Sequence, residues 1–170
     1  MAWLLDREVK RELPPEWNDV VPTEVFMREA KQIVEEARRK GITLRIMGGL
    51  GIAIRCLDFR DFAAKLGRLG TGVVRGQEYS DIDLMSYGKH REDIKALFGE
   101  IGYAKRKATL SSAASERQIY YHPKGWFYVD VFFDKLLVAN HPLDSMCFSV
   151  SLFGGVCMFP RRSLCAVQWR

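Results

Sequence analysis

Apolar and polar residues alternate along this chain with the period of a helix in some segments and of a strand in others. From Thr23 to Gly41 the pattern is helical, and we expect Thr23 to cap the first turn and Gly41 to end the helix. A second helical pattern runs from Arg91 to Ile101. The apolar stripe of the first helix consists of Val25, Ala30, Ile33, Val34 and Ala37.

Shorter stretches have the period of a strand. The predicted strands are Leu44 to Met47, Asp81 to Met85, Tyr103 to Leu110, Arg117 to Tyr121 and Trp126 to Phe133. This order of helices and strands predicts an α+β fold, with a mixed β-sheet and helices packed mainly on one face. His122 and His141 each precede a proline, which predicts turns, and neither is expected to be catalytic.

The same patterns divide the chain into three parts. Residues 1–22 are expected to form an N-terminal arm, and residues 23–145 form the core. Residues 146–170 predict a hairpin at Gly154-Gly155 and a short helix, as a truncated or divergent tail. An exposed apolar hairpin there would favour a homo-oligomer. The glycine-rich, basic segment from Gly67 to Tyr79 predicts a loop, and the overlapping segment from Arg60 to Gln77 could serve as a lid or bind an acceptor.

Composition narrows the classes of protein. Of the 170 residues, 48% are apolar and 28% charged, which is typical of a globular domain. The net charge of +5 suits a triphosphate or nucleic acid as ligand, although charge alone more often reflects a solvated surface. Four cysteines without a Cys-x-x-Cys pair argue against a zinc site. A charged N-terminus and the absence of a long apolar run indicate a cytoplasmic protein without a membrane segment.

Three aspartates stand out within the apolar strand patterns. Asp81 and Asp83 are two residues apart, so both side chains leave the same face of their strand. Asp130 occupies a similar position in a later strand. If these strands are neighbours, the carboxylates converge, and their mutual repulsion is tolerable only with bound cations. Oxygen ligands without sulfur or imidazole favour Mg²⁺ or Mn²⁺.

A glycine turn supplies a complementary feature. Gly48 and Gly49 lie between a predicted strand and a predicted helix, where phosphate oxygens could approach the backbone amides. A Gly-Gly pair alone is most often an ordinary turn, and two aspartates on a strand can mark an exposed sheet edge. The order of all three features along one chain favours a functional site.

These motifs resemble those of the nucleotidyltransferase superfamily, which is related to the catalytic domain of DNA polymerase beta. The resemblance covers roughly residues 25–145 and is greatest to small bacterial and archaeal members, including aminoglycoside nucleotidyltransferases and abortive-infection toxin-type enzymes. It rests on Met47-Gly48-Gly49, Asp81-Ile82-Asp83-Leu84 and Val129-Asp130-Val131-Phe132.

The resemblance implies a role for each of these residues. Asp81 and Asp83 would bind metal ions, and Asp130 would bind the catalytic metal and help to deprotonate an acceptor hydroxyl. Gly48 and Gly49 would contact the nucleotide phosphates. Leu50 would belong to the same nucleotide-binding stretch, and Arg117 would be a further nucleotide contact.

Two functional hypotheses follow. In the first, the protein moves a nucleoside monophosphate from a nucleoside triphosphate, expected to be ATP, to a hydroxyl of an unidentified small molecule, RNA or protein. In the second, the domain is catalytically inactive and binds a partner protein or nucleic acid. A third interpretation is an unrelated α+β domain with aspartates on its surface.

Overall fold

The computed structural model describes residues 13–55, 76–107, 117–138 and 141–144. The described helices are α1 (Thr23–Arg39), α2 (Gly48–Arg55) and α3 (Arg91–Glu100). The described strands are β1 (Leu44–Ile46), β2 (Asp81–Ser86), β3 (Ala104–Lys105), β4 (Arg117–Tyr121), β5 (Tyr128–Phe133), β6 (Lys135–Val138) and β7 (His141–Asp144). All four cysteines, most of the predicted glycine-rich loop and the predicted C-terminal hairpin lie outside the described residues.

The main sheet has the strand order β1-β2-β5-β4-β3. The central pair β2 and β5 is parallel, whereas the other neighbours are antiparallel. The sheet is therefore mixed, and the predicted α+β class is confirmed.

A second, two-stranded sheet pairs β6 with β7. It places His141 at the start of a strand, so the turn predicted there from His141-Pro142 is wrong. Pro142 pairs with Leu137, and because this sheet has two strands within the described residues, Pro142 occupies an edge strand there, where the missing N–H is tolerated.

The hydrophobic core lies between the helices and one face of the main sheet. The strands contribute Ile82, Leu84, Val129 and Val131, all fully buried. The helices contribute Phe26, Ala30 and Ile33 from α1, Leu50 from α2, and Ile94, Leu97 and Phe98 from α3. Burying each large side chain stabilises the fold by about 1.5–3 kcal/mol. The helices thus pack mainly on one face, as predicted.

Residues before α1 also contact the core. Val21 is fully buried, and its N–H donates to Gln77 Oε1 at 3.1 Å. Trp17 packs edge-on against Trp126, with ring centroids 4.6 Å apart. The described part of the predicted N-terminal arm, residues 13–22, therefore packs on the core.

Helix α1 begins differently from the sequence prediction. Pro22 is its N-cap residue and no side chain caps it, so the expected cap from Thr23 is wrong. Proline fixes the backbone just before the helix, and Thr23 becomes the first helical residue. The Thr23 hydroxyl instead donates to Glu78, which also accepts a hydrogen bond from the Tyr79 hydroxyl at 3.0 Å. These contacts tie the segment preceding β2 to α1.

The helices of the described ranges include none with both the length and the apolar character needed to cross a membrane.

Candidate active site

Three carboxylates meet on the sheet face opposite the hydrophobic core. Asp83 on β2 is the direct register partner of Asp130 on the parallel strand β5. Asp81 lies two residues before Asp83 and so points to the same face. The intervening Ile82 is fully buried on the opposite face. Alternation along two adjacent strands thus collects the three predicted aspartates on one surface.

The carboxylates are close enough to share one ligand. One oxygen from each of Asp81, Asp83 and Asp130 can be chosen so that all lie within 4.8 Å of one another. Asp130 is only 5% exposed, whereas Asp81 and Asp83 are half-buried. Ser80 Oγ donates to Asp81 Oδ1 at 2.8 Å.

Burial and mutual repulsion disfavour the charged forms of this cluster. Burial, followed by the charges of Asp81 and Asp130, raises the pKa of Asp83 from 3.8 to about 7. Burial raises the pKa of Asp130 to about 6, although Arg117 opposes this shift. Metal-free, the site therefore holds carboxylates that resist full ionisation near neutral pH.

Arg117 partly compensates the negative charge. Its Nη1 lies 2.9 Å from Asp130 Oδ2, which makes a hydrogen-bonded ion pair across β4 and β5. The other oxygen, Asp130 Oδ1, is buried and has no hydrogen-bond partner among the described residues. A buried carboxylate oxygen without a partner costs free energy, so its position indicates that a ligand completes the site.

The glycine turn lies directly against the cluster. Gly48 has a positive φ of 65°, and a Cβ on it would overlap Asp83 Oδ2. Met47 N–H donates to Asp83 O at 2.9 Å, which fixes the turn beside β2. The next residue, Gly49, is exposed. Only glycine can adopt this backbone so close to the carboxylate without strain.

Leu50 occupies a different environment. Its side chain is 2% exposed and belongs to the hydrophobic core. Leu50 could therefore contribute to a ligand site only through its backbone.

These features together fit a divalent cation. The donor set consists of oxygen atoms, one of them is buried without a partner among the described residues, and the glycine turn lies so close to Asp83 that a side chain there would collide with it. Such donors suit Mg²⁺ or Mn²⁺ better than zinc or copper.

Sequence reasoning missed two residues near this site. Tyr128 pairs in register with Asp81, and burial, the Asp81 charge and a hydrogen bond to Asp81 raise the pKa of Tyr128 above its usual range. Arg106 is close enough to lower the pKa of Asp130, although burial outweighs it. Side chains alternate along β5, and Tyr128 lies two residues before Asp130, so the sequence could have placed Tyr128 on the face of Asp130. No sequence pattern indicated Arg106, because its proximity to Asp130 depends on the order of strands in the sheet.

No family model matches the chain, and no curated protein matches it. Solved structures with a similar fold include the antibiotic-resistance factor ANT(2'')-Ia, 21% identical with a TM-score of 0.40. They also include the lincosamide antibiotic adenylyltransferase LnuA with bound lincomycin (18%, TM-score 0.42) and a candidate nucleotidyltransferase from Thermotoga maritima (16%, TM-score 0.42).

The matches cover 72%, 66% and 79% of this chain, and 52%, 58% and 68% of the respective neighbours. The chain thus spans little more than half the length of the first two. Each of these likenesses has a TM-score below 0.5, so function is inferred below from the geometry of the site alone.

Proposed function

We propose that this protein is a metal-dependent nucleotidyltransferase, which moves a nucleoside monophosphate from ATP to a hydroxyl group of an acceptor. The observation that carries the proposal is the pairing of Asp83 with Asp130 on parallel strands, with Asp81 beside them and the Gly48 turn in contact. A fold gains no stability from such an arrangement. It is useful where negative charge must be offset by cations.

Asp81, Asp83 and Asp130 would hold the cation, expected to be Mg²⁺ or Mn²⁺. Two like charges about 4 Å apart repel by about 4 kcal/mol at an effective dielectric constant of 20, and a third adds to this cost. A divalent cation bound there would turn the repulsion into attraction and would offset the charge of the phosphate groups.

The glycine turn would bind the triphosphate. Gly48 and Gly49 open α2, whose first backbone N–H groups have no partner within the helix. Phosphate oxygens can approach these amides closely because neither residue has a side chain. The position of Gly48 against Asp83 places this phosphate site beside the proposed cation site.

Asp130 is suited to accept a proton. In the proposed reaction the acceptor oxygen bonds to the α-phosphorus, and the bond from that phosphorus to the bridging oxygen breaks. Pyrophosphate leaves with the electron pair of the broken bond, and the hydroxyl proton passes to the Asp130 carboxylate. Arg117 donates to one oxygen of this carboxylate and so holds its orientation.

The test uses label transfer with a matched control. The wild-type protein is incubated with [α-³²P]ATP and Mg²⁺ in the presence of RNA, protein and small-molecule fractions, and labelled products are counted. We expect transfer by the wild type and none by Asp83→Asn. Asp93→Asn removes a 63% exposed carboxylate on α3 and should leave transfer unchanged. Equal transfer by wild type and Asp83→Asn would refute the proposed metal site.

The inactive-module hypothesis predicts a different result. ATP at 100 times its dissociation constant should stabilise an ATP-binding protein by about 2.7 kcal/mol. No Mg²⁺-dependent rise in Tm with ATP, together with salt-sensitive binding to nucleic acid or a stable complex with a partner protein, would favour the inactive module. Neither binding nor transfer would favour an unrelated domain.

A further inference from the structure

The sheet face has two halves of different chemistry on either side of Asp130. On one side lie Asp83 and the Gly48 turn, which are in contact. On the other side lie β4, which pairs with β5, and β3, which pairs with β4. With the triphosphate at the glycine turn, the β4 and β3 side of Asp130 is the half of this face that remains for the acceptor.

We call the second half the outer face and define it by four residues: Arg106, Arg117, Ile119 and Tyr121. Ile119 is the register partner of Asp130, and alternation along β4 puts Arg117 and Tyr121 on the same side. Gln118 and Tyr120, between them, are buried on the opposite side. Arg106 N–H donates to Ile119 O at 2.8 Å, which extends this row beyond β4.

The outer face and its edge are positively charged. The described residues 104–107 and 117–121 contain four cations, Lys105, Arg106, Lys107 and Arg117, and no carboxylate. Lys105 pairs in register with the buried Tyr120, so it points to the helix side of the sheet, where Lys95 of α3 is its neighbour. Arg106 and Arg117 are therefore the cations of the outer face itself. When a bound cation offsets the charge of the three aspartates, a polycationic acceptor would be repelled here and an anionic one attracted.

Arg117 can bind a further group while it is paired with Asp130. Its side chain is 48% exposed, and its described hydrogen bond uses only Nη1. A guanidinium carries five N–H donors in a planar fork, which matches phosphate oxygens well. A phosphate held by Arg117 would lie next to the carboxylate that accepts the proton.

Two half-buried aromatic side chains lie on the same face of the sheet as these cations. Tyr121 on β4 is the register partner of Tyr128 on β5, so both rings lie on the open face of the sheet. Cations beside aromatic side chains are typical of surfaces that bind phosphate-linked ligands with planar groups.

We propose that the acceptor is a phosphate-bearing molecule, whose phosphate binds Arg106 and Arg117 on the outer face. This inference rests on the proposed nucleotidyltransferase function and names the class of its acceptor. The phosphate could belong to an RNA chain or to a small phosphorylated sugar, because the two present the same group.

The test measures binding with the nucleotide site already filled. The full chain is saturated with Mg²⁺ and a non-hydrolysable ATP analogue, so that added phosphates cannot occupy the glycine turn. Three probes are then titrated: a labelled single-stranded RNA of about 12 nucleotides, ribose 5-phosphate, and the polycation neomycin. Anisotropy reports the first, and calorimetry the other two.

We expect RNA or ribose 5-phosphate to bind and neomycin not to bind. Arg106→Glu should lower the affinity for the anionic probe at least tenfold, whereas Arg106→Lys should keep most of the wild-type affinity. The control Lys31→Glu makes the same charge change on α1, which covers the opposite face, and should have little effect. For RNA, loss of one phosphate contact should also reduce, by about one, the slope of the logarithm of the binding constant against the logarithm of the salt concentration.

Each outcome decides the inference. RNA binding identifies a nucleic-acid acceptor, and binding of ribose 5-phosphate alone identifies a small one. The inference fails if neither anion binds, if Arg106→Glu and Lys31→Glu behave alike, or if neomycin binds instead. The Mg²⁺-dependent ATP shift in the same samples separates the two proposals. If that shift is present but the anions do not bind, only the acceptor class is refuted.

Discussion

The backbone of Gly48 lies against the carboxylate of Asp83, so closely that any side chain on Gly48 would collide with Asp83 Oδ2. This relationship joins a conformational feature, the positive φ of the turn, to a chemical one, the charged cluster. Glycine is required at this position for two reasons: the positive φ and the lack of space for a Cβ beside Asp83. It also yields a test that separates the two glycines of the turn.

Gly48→Ala and Gly49→Ala should differ sharply. At Gly48 the left-handed backbone costs an L-residue about 1–2 kcal/mol, and the new methyl group must also displace Asp83. At Gly49 a Cβ would meet only the Tyr79 ring, at an ordinary 3.5 Å. We expect a Tm lowered by roughly 5 °C or more, and loss of the Mg²⁺-dependent ATP shift, for Gly48→Ala alone. Similar melting curves for the two variants would contradict this account of the turn.

The metal-free site should make stability depend on pH. Asp83 and Asp130 have pKa values of about 7 and about 6 in the folded protein, against 3.8 for an unperturbed carboxyl. Between these values the folded chain binds more protons than the unfolded chain, so this contribution to stability is lost as pH rises from about 4 to about 7. His122 acts in the opposite sense, because burial lowers its pKa from 6.5 to about 4.

The difference in unfolding free energy between wild type and Asp83→Asn isolates the carboxylates, because His122 contributes equally to both proteins. Without metal, the variant should become more stable relative to wild type between pH 5 and pH 8. The gain should be on the order of 1–3 kcal/mol, because each pKa unit corresponds to about 1.4 kcal/mol. Urea unfolding at both pH values, with EDTA present, measures the difference. With Mg²⁺ at pH 8, wild type should instead be more stable than Asp83→Asn. If the difference in unfolding free energy between the two proteins does not change with pH, the carboxylates do not repel one another as described.

Much of this arrangement was predictable from the sequence, and the reason is local. Alternation within one strand is enough to put Asp81 and Asp83 on one face and Ile82 in the core. The isolated polar position of Asp130 in an apolar strand likewise indicated its face. The helices α1 and α3 were predictable because their apolar spacing agrees with their burial.

The rest depended on contacts that no local pattern contains. That β5 lies beside β2, and runs parallel to it, is a consequence of the whole topology. Arg117 was expected as a nucleotide contact, but its partnership with Asp130 required knowing that β4 is next to β5. The predicted Thr23 cap was wrong for a similar reason. The Thr23 hydroxyl donates to Glu78, which is distant in sequence.

Two arginine–carboxylate pairs in this protein should differ in their contribution to stability. Arg117 binds Asp130 at 2.9 Å with the carboxylate 6% exposed, whereas Arg39 binds Glu36 at 2.7 Å on the surface, with side chains 63% and 32% exposed. Removal of Arg117 leaves a buried charge without its partner. Arg117→Gln should therefore destabilise the metal-free protein by about 1–3 kcal/mol at pH 8, and Arg39→Gln by less than about 0.5 kcal/mol. Equal losses in urea unfolding would show that Asp130 is solvated.

The central claim is that three carboxylates on β2 and β5 bind a divalent cation that carries the nucleotide. The most direct measurement is an anomalous difference map from crystals of the protein grown with Mn²⁺ and a non-hydrolysable ATP analogue. The account predicts a Mn²⁺ peak within about 2.0–2.3 Å of oxygens from Asp81, Asp83 and Asp130, with phosphate density at Gly48 and Gly49. Ordered nucleotide with Mn²⁺ at other residues, or nucleotide bound away from this face, would contradict it.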